Sequence, residues 1–353
     1  MPKLRSIQAL RALAALAVLL YHACQWADGA FLIGAAGVDL FFVISGFVIW
    51  LTLQDRGLTA GDFLRRRLWR VAPPYWIASL ATLAAALAWP RLLQEVYPKP
   101  WHAILSLLFI PHLNPVKDCF PLLPTGWSLV YEMAFYLLAA LCLGEPPRQR
   151  FGRLAWSLVG LMGLGMALAL SGVLPQAYYL GANPMLMQFV AGMAIARTYV
   201  KRRLPGRAAG FALIGASAAL YVGLSFFDFY TSLWRPLLWG APATLLVLGA
   251  VSLEAQGLAP RWRALGVLGA ASYALYLWHW PVVVLVARLL PHHGWLSGSL
   301  GCVLSLAVGL AFWRFVERPL LAFGAQRWPG RRVATSALLQ HPATDGSIPQ
   351  SSS

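Results

Sequence analysis

The chain has 353 residues, 59% of them hydrophobic and only 11% charged, with a formal net charge of +16. A soluble domain carries about 25% charged residues and cannot bury so much apolar surface, whereas a bilayer can. The positive balance might suggest nucleic acid, but no polar stretch is long enough to house such a module, and basic residues collect on the cytoplasmic loops of membrane proteins.

Lys3 and Arg5 precede an apolar run, as in a secretory signal, but Arg11 interrupts the run and no small-residue cleavage site follows. The run is therefore expected to be a first span. A span needs about 20 mostly apolar residues. Ten segments qualify: 7–26, 36–54, 74–90, 125–143, 154–173, 181–198, 208–226, 236–253, 267–290 and 297–317. The segment 101–112 is short and holds Pro111. If it is re-entrant or interfacial and the N-terminus is cytoplasmic, all 28 Lys and Arg but Arg91, Lys99, Lys117, Arg235 and Arg288 fall on the cytoplasmic side. If it crossed, three basic loops would change sides. The expected fold is an all-α integral membrane protein, a polytopic helical bundle of about ten transmembrane helices with both termini cytoplasmic. It forms one membrane domain over 1–325. Residues 326–353, whose final stretch is rich in Ser, Thr, Pro and Gln, are expected to be a disordered cytoplasmic tail.

Ionisable groups within spans are costly and mark functional sites by default. Span one carries Arg11 and His22. Eleven residues make about three helical turns, so both point to one side, roughly 16 Å apart along the axis. Arg11 alone would be read as snorkelling to the interface and His22 as a packed histidine. Span two opens GVDLFFVISGF, with Asp39 at about the depth of His22. A carboxylate beside an imidazole fixes its tautomer, although Asp39 would equally suit a helix start. Ser45 and Gly46 allow close approach of another helix or of a ligand arm.

The segment FLRRRLWRVAPPYW is dense in arginine. Arg67 and Arg70 share a face if it is helical, and paired guanidinium groups suit a phosphate-bearing ligand as well as anionic membrane lipids. Pro73 and Pro74 are read as the start of span three, where proline is tolerated. WSLVYEMAFYL places Glu132 in span four, with Trp127, Tyr131 and Tyr136 around it, at the inferred depth of His22 and Asp39. In SYALYLWHWPV, Ser272, Tyr276 and His279 form one polar stripe. FVERPL sets Glu317 beside Arg318, as a local ion pair would, and His292 and His293 read as ordinary loop residues. Cys24, Cys119, Cys142 and Cys302 form no C-x-x-C pair, so no metal site is expected.

The chain resembles the acyltransferase 3 family of membrane-bound O-acyltransferases. The matching pieces are the Arg11–His22 arrangement in SIQALRALAALAVLLYHA, GVDLFFVISGF, RRRLWRVAP, GWSLVYEMAFYL, SYALYLWHWP and FVERP, in the family's order from residue 6 to about 320. Many members carry an extra soluble SGNH-type domain, and this chain looks like the stand-alone type. The resemblance implies transfer of an acyl group, usually acetyl, from cytoplasmic acyl-CoA to a hydroxyl of a surface or exported glycan, in a bacterial-type inner membrane. It implies that Arg11 and His22 are essential and that Arg67 and Arg70 hold the donor. On this reading His22, oriented by Asp39 or Glu132, is the general base, or else relays the acyl group covalently. Ser45, Tyr136, Tyr276, His279 and Glu317 are further candidates. A transporter or flippase of a lipid-linked or sugar substrate is the rival from another class.

Overall fold

The computed structural model describes residues 4–328 except 28, 30, 56, 175–176, 178–182, 228 and 230–233. Its helices in chain order are α1 (Arg5–Gln25), α2 (Gly37–Thr52), α3 (Ala60–Ala88), α4 (Pro100–Leu107), α5 (Trp127–Leu141), α6 (Pro147–Leu170) and α7 (Leu186–Val200). They continue with α8 (Arg207–Leu224), α9 (Arg235–Leu238), α10 (Gly240–Ala255), α11 (Arg263–Leu289), α12 (Gly294–Phe312) and α13 (Arg318–Arg327), the last two joined by the π-helical turn Trp313–Glu317. Among the described residues, nine helical segments are long and apolar enough to cross a membrane. A tenth, α7, has only 15 residues, a length of about 22 Å. The expected bundle of about ten spans is thus present, although the beginning of the predicted 181–198 segment lies outside the described residues. With 8 residues, or about 12 Å, α4 is far too short to cross. Of the expected tail, residues 329–353 lie outside the described set, while α13 reaches Arg327.

Contacts between helix ends fix the alternation. The Glu254 carboxylate at the end of α10 accepts the backbone N–H groups of Arg5 (2.8 Å) and Ser6 (2.9 Å), together with the Ser6 hydroxyl. It thereby serves as the missing N-cap of α1, a contribution of about 0.5–2 kcal/mol. Trp69 near the start of α3 donates to the Leu320 carbonyl (2.8 Å) in α13. The start of α1 and the end of α10 therefore share one end of the bundle, and the first half of α3 lies against α13.

Helix α2 is its axis: 72% of its span is buried within the protein, against 11% for α8, which faces outward. Two glycines let α2 and α7 cross in backbone contact. A methyl group on Gly46 would overlap the Phe189 carbonyl, and one on Gly192 the Val43 carbonyl. Around this crossing Phe47, Tyr75, Phe135 and Phe189 build the main core.

One expectation is corrected. Pro73 and Pro74 do not open the third span. They lie inside α3, which begins at Ala60 behind a Thr59 cap whose hydroxyl accepts the Asp62 N–H (3.1 Å). The prolines remove two intrahelical donors, those that would bond the carbonyls of Trp69 and Arg70, and the Tyr273 hydroxyl of α11 donates to the neighbouring Val71 carbonyl (2.8 Å). The arginine-rich segment is therefore helical.

Two measurements check this architecture. Topology reporters fused after residues 150 and 203 should report the same compartment, since an even number of passes separates them. Gly46→Val should lower the melting temperature in detergent by more than the ~1–3 kcal/mol typical of overpacking implies, because a backbone carbonyl must move.

Candidate functional site: two cavities that meet at a tyrosine

Two cavities enter the bundle and share Val38 and Tyr276 in their walls. The basic cavity, about 100 Å³, collects Arg11 from α1, Ser45 from α2, Arg67 and Arg70 from α3, and Glu132 and Tyr136 from α5. Arg67 and Arg70 share a face of α3, as expected if that segment is helical. Arg11 is fixed by the Gly269 carbonyl (3.2 Å) and by Ser272 Oγ (2.9 and 3.1 Å). Arg67 donates to Thr52 Oγ1 (2.6 Å) and lies over the Phe63 and Tyr136 rings. Ser45 (3.1 Å) and the Tyr136 hydroxyl both donate to Glu132 Oε1. Glu317, 2% exposed on the π-helical turn, lies within electrostatic reach of Arg70 and Arg11 rather than serving only its neighbour Arg318. Three guanidinium groups against one lining carboxylate make this an anion-binding cavity, and paired arginines match phosphate geometry.

The second cavity, about 300 Å³, contains His22. His22 Nδ1 lies 3.2 Å from Gln25 Oε1, and Gln25 Nε2 donates to the Tyr21 hydroxyl (2.9 Å). The amide oxygen therefore accepts from Nδ1–H, which leaves the Nε2 lone pair of a neutral imidazole available as a base. The His279 ring lies 5.1 Å from that of His22, with its own Nδ1 3.2 Å from the Leu275 carbonyl. Its Nε2 is buried without a hydrogen-bond partner among the described residues. In the nearby loop, burial and then Asp118 push the Cys119 thiol up to about 11, so it is not a ready nucleophile. Among the described residues no three His, Cys, Asp or Glu side chains gather as a metal site requires.

Tyr276 stands between the cavities. Its hydroxyl lies 2.7 Å from Ser128 Oγ and donates to the Thr125 carbonyl (2.8 Å), while its ring meets Phe41 and His279.

The expected convergence of His22, Asp39 and Glu132 at one level does not occur. Glu132 opens into the basic cavity with Arg11, Arg67 and Arg70. Asp39 is fully buried on another face of α2, where Gln188 Nε2 donates to Oδ1 (2.6 Å) and Arg235 pairs with Oδ2 (3.4 Å). Gln188 also donates to the Pro236 carbonyl (3.0 Å), and the Arg235 guanidinium lies over Trp239. The partner that orients His22 is Gln25. It lies three residues on, one helical turn away, a spacing legible in the sequence. Gln188 was also visible as a polar residue in an apolar run. Nothing local pointed to Arg235 as the partner of Asp39.

A helical bundle with these cavities belongs to the membrane-embedded acyltransferases. Residues 4–314 match the acyltransferase 3 family, described as an acyltransferase domain, and the chain belongs to that family. It is 35% identical over 320 residues to the exopolysaccharide production protein ExoZ of Rhizobium meliloti, covering 88% of this chain and 96% of that one. It is 29% identical to the membrane-bound transacylase candidate BcsY of Komagataeibacter xylinus, over 95% of this chain and 87% of that protein. The peptidoglycan O-acetyltransferase OatA of Listeria monocytogenes is 27% identical over 89% of this chain, which matches 55% of that longer protein. No solved structure matches the chain.

The Asp39–Arg235 pair can be tested by its coupling. Asp39→Ala leaves a buried guanidinium without its anion and should destabilise the protein by about 3–5 kcal/mol. Arg235→Ala should do likewise. Thermal melts of the double variant should show a loss well below the sum of the two.

Proposed function

We propose that this protein transfers an acyl group, most simply acetyl, from cytoplasmic acyl-CoA to a hydroxyl of an exported glycan on the far side of the inner membrane. The observation that carries the reading is the pair of adjoining cavities, one with surplus arginine and one holding His22, which share Val38 and Tyr276 in their walls. Membership of an acyltransferase family argues against the transporter reading. The named roles of relatives, exopolysaccharide production and peptidoglycan O-acetylation, support a glycan acceptor. The excess of basic residues on the expected cytoplasmic side supports termini in the cytoplasm and the basic cavity opening there.

Arg67 and Arg70 take the phosphates of the donor, and Arg70, which hydrogen-bonds to none of the described residues, is the guanidinium still available. Glu132, held by Ser45 and Tyr136, and Glu317 keep the arginines spaced for an anion rather than splayed by mutual repulsion. The donor arm runs along α1 from Arg11 past Tyr276, a rise of roughly 16 Å to the level of His22. There His22 Nε2 accepts the proton of the acceptor hydroxyl as the new C–O bond forms and the C–S bond breaks. The thiolate departs with the coenzyme, and the proton on His22 passes to it or to solvent. A thioester is already activated, so positioning and one base are enough. Asp39 acts here as a positioning residue, holding α2 and through it Ser45 and Val38. His279 closes the histidine's far side.

The test is acceptor-dependent release of CoA by purified protein. His22→Gln keeps size and hydrogen bonding but cannot take up a proton, and should lower the rate by about 10²–10⁴-fold with CoA binding intact. A rate within a few-fold of wild type at equal protein level would return His22 to a packing role. Arg67→Glu with Arg70→Glu should abolish CoA binding, whereas Lys at both positions should weaken it moderately, since lysine lacks the planar fork. Equal CoA affinity in the double Glu variant would reassign these arginines to lipid anchoring.

A further inference from the structure

We propose that the His22 cavity selects an uncharged sugar ring and rejects anionic residues such as uronates. This rests on the reading above, in which the acceptor meets His22 in this cavity. Its walls combine the aromatic rings of Tyr97, Trp127 and Trp280 with the side chains of Glu95, Asn114 and Asp118. Flat aromatic faces suit the C–H face of a pyranose, while carboxylates accept its hydroxyl protons. About 300 Å³ is at the small end for ligand sites and suits a monosaccharide unit or two of a longer chain.

Charge supplies the selectivity. Among the described residues, the charged side chains lining the cavity are Glu95 and Asp118, both acidic, and no Lys or Arg lines it. Arg288 takes Glu95 Oε1 (2.7 Å), while Oε2 is buried and hydrogen-bonds to none of the described residues. Asp118 makes no ion pair among the described residues. Asn114 Oδ1 accepts the backbone N–H groups of Val116 (3.0 Å) and Asp118 (2.9 Å), so the turn that presents the Asp118 carboxylate is held in place. Arg288 offsets Glu95, so the uncompensated charge that an incoming carboxylate or phosphate would meet is that of Asp118. A neutral ring would find hydroxyl acceptors.

Saturation-transfer NMR on the full chain in detergent tests this with two probes, a neutral glucose tetrasaccharide and the same tetrasaccharide carrying one glucuronate. The neutral probe should bind about tenfold tighter, the size of one partly screened charge contact. Asp118→Lys should invert or erase that preference by strengthening glucuronate binding, with unchanged CoA affinity reporting an intact fold. Glu95→Gln should narrow the gap. Equal or tighter binding of the glucuronate probe by wild type would overturn the proposal, as would an unchanged ratio in both variants. Selective binding without acetyl-CoA-dependent transfer upholds the selectivity and overturns the acyl-transfer reading. Transfer to both probes at equal efficiency does the reverse.

Discussion

A carboxylate with no exposed surface inside a membrane bundle must have its charge answered nearby, and Asp39 is answered by Arg235 and Gln188. Those three groups come from α2, from the start of α7 and from α9. Their meeting sets the rotation of α2 about its axis. With Asp39 turned toward α7 and α9, Ser45 faces Glu132, and Phe41 faces Tyr276. The glycine crossing of α2 and α7 further along sets their separation, so one helix is fixed by a polar contact at one end and by backbone packing beyond it. Both cavities take part of their wall from this helix.

The cavities divide the chemistry by charge. Anions need surplus cations, and the basic cavity supplies them from α1 and α3. A base needs a neutral, correctly protonated imidazole, and Gln25 supplies the acceptor that selects that tautomer. Keeping Arg11 and His22 about three turns apart on α1 spares the imidazole a neighbouring guanidinium, whose positive charge would disfavour proton uptake. On the proposed acyl transfer, the same separation would require a donor long enough to span it, so reach would become part of substrate choice.

Much of this organisation was legible in the sequence because bilayer thickness leaves a strong imprint on it. Apolar length located the spans, charge asymmetry argued against a crossing at 101–112, where the helix has only eight residues, and helical periodicity placed Arg11 and His22 on one side of α1 and Arg67 with Arg70 on one side of α3. Depth was a poorer guide to partnership. Asp39, Glu132 and His22 were matched by level alone, but which residues meet depends on how each helix is turned, and that is set by contacts from distant parts of the chain. Arg235, almost two hundred residues from Asp39, is one such contact. The prolines of α3 misled for a different reason: they look like a beginning, but the helix starts at the Thr59 cap and runs through them.

Tyr276 carries an obligation beyond the reaction. Where two water-accessible hollows approach from opposite faces of a membrane, the material between them is the local insulator. A membrane potential drives each elementary charge across with about 2.3 kcal/mol per 100 mV. That field falls across whatever thin layer separates the hollows. Here the layer is a phenol ring held by Ser128 and Thr125, with Phe41 beside it and two histidines on its far side. A protein that let a long acyl arm through without such a seal would short-circuit the membrane in which it sits. On the proposed transfer, the ring would have to yield to the arm while denying passage to protons, and the arm itself would fill the gap.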